Sequence, residues 1–462
     1  MIPQEIVERT LQLSRADGCV VLARENSSAN LRWAGNTLTT NGLTNSRSLT
    51  VISTVAGATG VSAGVVSRSS VPLDRLEDLV RASEAAARSN GPAEDAMPLV
   101  EPTGDDPGWE EPAQRTTIAV FRDIAPALGA AFGQARDAGH LLYGYAEHET
   151  ESVFLGTSTG LRRRHDQPAG RVELTGRFPD GSRSAWAGQA IGTGSDADVA
   201  ALAADVERRL SWAERRVELP AGRYDTVLPA SAVADLMLYM YWSSSDLDAH
   251  EGRTVFSRNG GGTRVGEQLS RVPLRLRSDP AIAGMAVAPF VTATASSRMS
   301  SVFDNGIPLG PTDWISDGKL TALISTRHTA NITGLPVTPW IDNLEMSVGD
   351  NRPTPAIEEL IAGTDRGLLL TCLWYIREVD PQTLLLTGLT RDGVFFIENG
   401  EVTAAVNNFR FNESPVDLLG RMTDVGPTGP TLPREFGDYF RSAAMPPARV
   451  ADFHMSSVSQ AS

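Results

Sequence analysis

The apolar residues of this 462-residue chain come in short runs, and turn-forming residues separate them. The chain holds 42 glycines and 28 prolines, and asparagine and aspartate often stand beside them. No run approaches the roughly 18–20 consecutive apolar residues of a membrane-spanning helix, and we find neither a heptad pattern nor an internal repeat. The pattern therefore predicts a globular protein of many short strands and a few helices.

In the first half, helical spacing alternates with runs typical of strands. Helices are predicted between Pro3 and the stop at Asp17-Gly18, and over 74–89, 121–138 and 196–212. Strands are predicted over 19–22, 30–34, 36–40, 48–55, 141–146, 152–155 and 171–175. We expect a turn at Asn41-Gly42 and a loop over 91–113. Residues 1–213 are thus predicted to form an α+β domain with a curved sheet and at least three helices.

A connector with two adjacent arginines and one proline, residues 214–222, marks the predicted domain boundary. Beyond it, one helix is predicted from Ser231 to about Ser244, and Ser414-Pro415 has the N-cap and N1 residues that open a short helix. Most of the remainder has the pattern of strands, as over 368–374, 383–386, 394–397 and 402–406. Residues 223–462 are therefore predicted to form a β-rich domain, either barrel-like or a pair of packed sheets.

The charge balance limits the possible partners. Forty-one basic against 56 acidic side chains give a net charge of −15, which disfavours direct nucleic-acid binding but leaves a local basic patch open. The basic run 162–165 is better explained as a solvated strand end than as a partner site. With no spanning segment and no signal pattern in its first residues, the chain is expected to be cytoplasmic and to have no membrane partner.

Residues that could carry chemistry are sparse. Cys19 and Cys372 lie in apolar runs and are predicted to be small buried hydrophobes. His250-Glu251 resembles half of a metalloprotease motif, but the position four residues after His250 is Thr254 and not a second histidine. Gly260-Gly261-Gly262 is predicted to be a turn. The remaining histidines have no ligand spacing and are expected to be structural or exposed: His140, His148, His165, His328 and His454.

Five segments in consistent order carry a resemblance that spans essentially the whole chain. They are NLRWAGNTLTTNG (30–42), EGRTVFS (251–257), TGLTRDGVFFIENGE (387–401), NFRFNESP (408–415) and VADFHMSS (450–457). Together they resemble the TldD/PmbA family, also called the modulator of DNA gyrase family or U62-like peptidases. The resemblance implies an α+β fold of two domains.

The resemblance also implies a division of labour between two related chains. TldD-like chains carry a His-Glu-x-x-x-His zinc motif with a late cysteine ligand and act as metallopeptidases, whereas TldE/PmbA-like chains lack the motif and pair with them. Counting back from Glu251-Gly252 in the family's register puts Ser243, Ser244 and Asp248 where the first His, the Glu and the second His would stand. The late cysteine is missing as well, because no cysteine follows Cys372.

The resemblance is therefore to the non-catalytic TldE/PmbA-like subunit of a heterodimeric TldD/TldE zinc metallopeptidase. It implies no cofactor in this chain, zinc in a TldD-like partner, and an extended peptide substrate, unfolded or a leader, bound by strand addition. His250, Glu251 and Arg253 are the candidate residues for binding the peptide or the partner. Two alternatives stay open: a self-sufficient metallopeptidase that uses His250, Glu251 and remote ligands, and a regulatory binding protein that acts on gyrase or a toxin–antitoxin pair.

Overall fold

The computed structural model describes residues 2–104, 108–192, 196–349 and 354–459. The protein has the predicted α+β fold, with three open sheets in the described residues and a β-rich C-terminal region. The packed-sheet alternative is thus correct, and the barrel-like one is wrong. The predicted loop 91–113 is free of helix and strand where it is described, and its positions 105–107 lie outside the described residues. The predicted boundary between residues 213 and 223 stays a prediction.

The helices of the described residues are short or of medium length, and none combines the length and apolar content needed to cross a lipid bilayer. They are α1 (Pro3–Leu13), α2 (Leu76–Ser89), α3 (Ile124–Asp137), α4 (Val199–Trp212), α5 (Ala230–Trp242), α6 (Asp246–His250), α7 (Arg327–Thr333), α8 (Ile357–Ala362) and α9 (Pro415–Arg421). The predictions of α1 to α5 and of α9 are confirmed to within a few residues.

The first sheet is a six-stranded antiparallel sheet with the order β3-β2-β1-β4-β5-β6. Its strands are β1 (Gly18–Trp33), β2 (Leu38–Gly57), β3 (Gly60–Ser69), β4 (Leu141–Thr157), β5 (Arg162–Arg177) and β6 (Ser184–Ile191). One helix precedes and one follows each set of three strands, so the order α-β-β-β-α occurs twice. The strand order is symmetric about the β1–β4 pair. The topology therefore repeats, although the sequence shows no internal repeat.

The first hairpin corrects the predicted turn at Asn41-Gly42. Asn41 pairs with Leu31 and Gly42 with Asn30, so both lie within the β1–β2 ladder. The turn lies at Gly35-Asn36 instead, where φ is 58° and 62°. Two consecutive residues with positive φ match the twist of a two-residue hairpin. Because the turn lies at Gly35-Asn36, Asn41 and Gly42 continue β2, and the β1–β2 ladder is longer than predicted.

The two faces of the first sheet have different neighbours, because side chains alternate along each strand. On β1, Cys19, Val21 and Ala23 pack with α1 and α2, whereas Val20 and Leu22 pack with Phe290, Val302 and Phe303 of the C-terminal region. The helices therefore cover one face of the sheet, and the C-terminal region covers part of the other.

Two further sheets form the C-terminal region. The second sheet contains β9 (Leu274–Ser278), β10 (Thr312–Ser316), β11 (Lys319–Leu320), β12 (Leu344–Val348), β20 (Gly429–Thr431) and β21 (Ala443–Met445). The third contains β7 (Arg216–Val217), β8 (Gly222–Leu228), β13 (Arg366–Leu370), β14 (Leu373–Asp380), β15 (Leu385–Thr390), β16 (Val394–Glu398), β17 (Glu401–Val406), β18 (Phe409–Glu413), β19 (Met422–Val425) and β22 (Ala448–Val458).

Helix α5 lies in the main core of this region, in one apolar cluster with residues of both C-terminal sheets. It is apolar on nearly every face, and a helix of that kind has to be buried. Leu236, Met237 and Leu238 are fully enclosed. The helix therefore holds the segment that follows it, residues 243–251, at a fixed place.

Candidate functional site

A groove runs between the uncovered face of the first sheet and the C-terminal region. It consists of two adjoining cavities of about 300 and 320 Å³ that share Ala288, Thr292 and Asp342. The first sheet contributes side chains such as Arg24 and Glu151 to one wall. The opposite wall is the segment 287–301, together with Trp340 and the segment 438–442.

Over residues 291–294, this wall uses the backbone hydrogen-bonding groups of every second residue. The Val291 N–H donates to Ile307 O at 3.0 Å, and the Val291 carbonyl accepts from the Gly306 N–H at 2.9 Å. The Asn305 side chain pairs with both backbone groups of Ala293, at 2.7 and 2.8 Å.

Between and beyond these paired residues, the backbone N–H and C=O groups of Thr292 and Thr294 find no hydrogen-bond partner among the described residues. Both threonines line the groove. This alternation is that of an edge strand whose outer side is unpaired.

Most carboxylates of the groove are neutralised by arginines. Glu149 pairs with Arg441 at 2.8 Å, and Asp304 pairs with Arg327 at 2.6 Å. Asp342 instead accepts a hydrogen bond from the Trp340 indole at 2.6 Å.

The surrounding protein raises the pKa of the Asp342 carboxyl by displacing water, and the Trp340 hydrogen bond and the Arg24 charge only partly offset this rise. The side chain nevertheless stays open to solvent through the groove. Asp342 is therefore an acceptor that a bound ligand can reach.

The positions that correspond to the zinc motif lie where two helices meet. Helix α5 ends at Trp242, and α6 begins after Ser245, whose hydroxyl caps the new helix by accepting from the Asp248 N–H at 3.1 Å. Ser243 and Ser244 fall in the break. Their hydroxyls donate to the carbonyls of Tyr239 (2.9 Å) and Tyr241 (2.6 Å). Both serine side chains are thus committed to local backbone contacts.

Asp248 belongs to a cluster of four charges, which we call the ion cluster: Asp248, Glu251, Arg253 and Arg298. The Arg298 Nε lies 2.6 Å from Asp248 Oδ1, as an ion pair without an aligned hydrogen bond, and the other end of its guanidinium donates to Glu251. The Arg253 Nε lies 3.1 Å from the same Glu251 carboxylate. Two positive and two negative charges balance here, next to the groove residues Met299 and Ser300.

Of the three residues predicted to bind the peptide or the partner, Glu251 and Arg253 are thus joined by an ion pair, and the neighbouring His250 side chain takes no part in the ion cluster. His250 ends α6 and is exposed, and its side chain has no hydrogen bond or ion pair with any described residue. Sequence reasoning missed Arg298, because nothing in the sequence links it to a pair of carboxylates about fifty residues earlier. It also missed the half-paired strip formed by residues 291–294. The pairing of this strip depends on residues 305–307, which the local sequence pattern does not link to it.

These residues do not fit a zinc ion. Serine hydroxyls are poor zinc ligands, and a guanidinium already occupies the side of Asp248 where a metal cation would bind. Across the described ranges, no group of three His, Cys, Asp or Glu side chains is arranged to hold a metal.

Other residues singled out in the sequence have structural contacts. His148 is buried and bonds to Thr116 Oγ1 at 2.8 Å, and His140 bonds to Glu207 at 2.9 Å. Both cysteines are buried, as predicted, and burial raises the pKa of the Cys19 thiol to about 11. Burial raises the pKa of Cys372 as well. Neither thiol is therefore an activated nucleophile.

Three open sheets, with helices on one face of the first sheet and a groove between its other face and a β-rich C-terminal region, define the α+β class of this protein. The family model described as PmbA/TldA metallopeptidase C-terminal domain matches residues 221–457. The chain therefore belongs to the PmbA/TldD family.

Solved structures show the same fold over nearly the whole chain. TldE from Thermococcus kodakarensis superposes with a TM-score of 0.76 at 15% identity, over 98% of this chain and 99% of that one. A protein named as a modulator of DNA gyrase from Bacteroides thetaiotaomicron gives a TM-score of 0.77 at 15% identity, over 99% and 98%. One of the same description from Thermotoga maritima gives 0.75 at 15%, over 98% and 99%. No curated protein matches the sequence.

Proposed function

We propose that this chain is the non-catalytic TldE/PmbA-like subunit of a heterodimeric zinc metallopeptidase that trims unfolded or leader peptides. In this proposal a TldD-like partner holds the zinc, and this chain holds an extended peptide in its groove. The observation that carries the proposal is the unpaired outer side of the strip 291–294.

A peptide in the groove would complete the ladder that this strip leaves half made. Its backbone N–H and C=O groups would pair with those of Thr292 and Thr294, which have no other partner among the described residues. Recognition of this kind depends little on side-chain sequence, because the backbone is common to all peptides. It suits a substrate that is unfolded, since a folded protein has no free backbone of that length to offer.

The ion cluster supports the assignment of hydrolysis to a partner. Hydrolysis by zinc needs ligands that leave one position open for water, together with a general base. The register positions offer two serines with satisfied hydroxyls and one aspartate paired with Arg298. In this proposal the chain's own residues bind and orient the peptide, and the partner supplies the zinc.

The exposed end of α6 is a candidate contact for the partner or the peptide. His250 and Arg253 are both exposed there, and Arg253 shares Glu251 with Arg298. His250→Ala would then weaken assembly or peptide binding without lowering the melting temperature.

The test is reconstitution with a TldD-like zinc peptidase from the same organism. Light scattering of the mixture should give one species with the summed mass, and an unstructured labelled peptide should be cleaved faster by the mixture than by the partner alone. Two separate species would contradict the proposal. So would stoichiometric zinc in this chain purified alone, together with cleavage that is lost on His250→Ala.

A further inference from the structure

A further cavity, of about 290 Å³, lies away from the groove, and four arginines line it. Arg177 ends β5, Arg183 precedes β6, Arg216 begins β7, and Arg391 precedes β16. We call this cavity the arginine pocket. It lies where the end of the first sheet meets the third sheet, and its volume is at the small end of those that hold small molecules.

The positive charge of the arginine pocket is largely uncompensated. Asp392 is the one carboxylate among its described lining residues. One Asp392 oxygen accepts a hydrogen bond from Ser184, and the other lies 3.6 Å from Arg391 Nε. Among the lining residues, four positive charges against one negative charge leave a net +3 in a chain whose total charge is −15, and Asp180, outside the lining, interacts with Arg183. Like charges this close repel one another unless an anion lies between them.

The arginines keep hydrogen-bonding capacity for such an anion. The Arg177 Nε is buried without a hydrogen-bond partner among the described residues. The guanidinium of Arg183 lies over the Phe178 ring, 4.7 Å from its centroid, and that of Arg391 lies over Trp374 at 5.8 Å. Stacking on an aromatic face holds a guanidinium in place and leaves the N–H groups at its edge available for planar acceptors.

We propose that the arginine pocket binds a phosphate group, either free or esterified to a small molecule. A phosphate group carries about −1.5 to −2 charges at neutral pH and three strong acceptor oxygens, which matches a net charge of +3 and several guanidinium forks. A single carboxylate has one charge and two oxygens, and would leave more of the pocket unmatched. This inference is independent of the proposed peptidase role.

The experiment is calorimetric titration of the intact chain with three probes at constant ionic strength. Inorganic phosphate and glycerol 2-phosphate distinguish the free anion from the ester by their relative affinity, and malonate supplies two charges as carboxylates. Saturable binding of at least one phosphate probe, tighter than that of malonate, is expected. No saturable binding of either phosphate probe in the millimolar range would overturn the proposal, and malonate binding as tight as phosphate would contradict the assignment of the ligand.

Two variants tie the binding to this pocket. Arg177→Gln and Arg216→Gln should each weaken phosphate binding about tenfold, which equals about 1.4 kcal/mol. Arg122→Gln makes the same change of charge on an exposed arginine outside the pocket and should leave affinity unchanged. Because Arg216 is exposed, its variant is expected to fold even if Arg177→Gln does not. Equal affinity in wild type, Arg216→Gln and Arg122→Gln would show that phosphate binds elsewhere and would overturn the proposal.

Discussion

The ion cluster and the arginine pocket are two concentrations of charge with opposite balances. In the ion cluster, Arg298 and Arg253 face Asp248 and Glu251, so the charges cancel within the protein. In the arginine pocket, four arginines face one carboxylate. Side-chain charges that pair within the protein therefore serve structure, whereas side-chain charges that stay uncompensated indicate a ligand. The same reasoning applies to backbone groups in the groove. The N–H and C=O groups of Thr292 and Thr294 have no hydrogen-bond partner among the described residues, and they too indicate a ligand.

The largest expected effect concerns the unpaired backbone groups of the groove. Thr292→Pro removes one N–H that would pair with the peptide, and its ring blocks the approach of a strand. We expect the affinity of the reconstituted complex for an unstructured fluorescent peptide to fall about tenfold or more, as measured by anisotropy.

Thr292→Ala is the matched control, since it removes the side chain and keeps the backbone. Its affinity should stay near that of the wild type. If the alanine variant lost as much affinity as the proline variant, the Thr292 side chain would be what binds the peptide, and strand addition would be contradicted.

The second effect tests whether paired charge serves structure. Arg298→Gln leaves Asp248 and Glu251 without the cation that they share. Because these side chains are partly exposed, the free energy of unfolding should fall by only about 1 kcal/mol, as measured by urea denaturation. Arg216→Gln, in the arginine pocket, should change it by less than about 0.5 kcal/mol. Equal losses in the two variants would remove the distinction between the two regions.

The third effect sharpens the electrostatic account of the arginine pocket. Asp392→Asn removes its carboxylate charge but keeps an acceptor for Ser184. Phosphate affinity should rise several-fold, since a charge close to the ligand contributes about 1 kcal/mol in a water-like medium. Asp248→Asn, in the ion cluster, should leave phosphate affinity unchanged. A fall in affinity on Asp392→Asn would show that this carboxylate orients the arginines instead of opposing the anion.

The smallest effect concerns Asp342 in the groove. Its pKa is raised in the folded protein, so the folded protein holds this proton to higher pH than the unfolded chain does. The free energy of unfolding therefore falls as pH rises from about 4, the ordinary carboxyl pKa, through the folded value. At neutral pH the ionised group destabilises the fold, and Asp342→Asn should raise the melting temperature slightly.

This gain should shrink as pH is lowered and vanish below about 4, where both states of the wild type hold the proton. Asp137→Asn, on the exposed surface of α3, is the control for loss of charge alone. A gain that is the same at all pH values would argue against a raised pKa for Asp342.

The local elements of the fold were predictable, and the long-range pairings were not. Helix α2 follows from the spacing of Leu76, Leu79 and Val80, which are all buried. The strands were predicted too short, because the polar stretches of β1 and β4 show no alternation of apolar and polar residues. These stretches stay extended because they pair with each other. The turn was misplaced because Asn41-Gly42 and Gly35-Asn36 carry similar turn signals, and only the register of the hairpin distinguishes them.

The candidate sites depend on residues that are distant in sequence. Arg177 and Arg391 come from different sheets, and neither is remarkable in its own segment. Asp248 and Arg298 likewise meet only through the fold. The empty zinc register could be inferred from the resemblance, because it needs only the identities of Ser243, Ser244 and Asp248. The ion cluster that surrounds Asp248 could not be inferred from the sequence, since it depends on how distant segments pack together.

The most direct test of the account is amide hydrogen exchange at single-residue resolution in the reconstituted complex, with and without a saturating unstructured peptide. Bound peptide should slow exchange at the Thr292 and Thr294 amides, while Val291 and Ala293, already paired within the chain, should change little. Unchanged exchange at Thr292 and Thr294 under saturating peptide would contradict binding by strand addition in this groove.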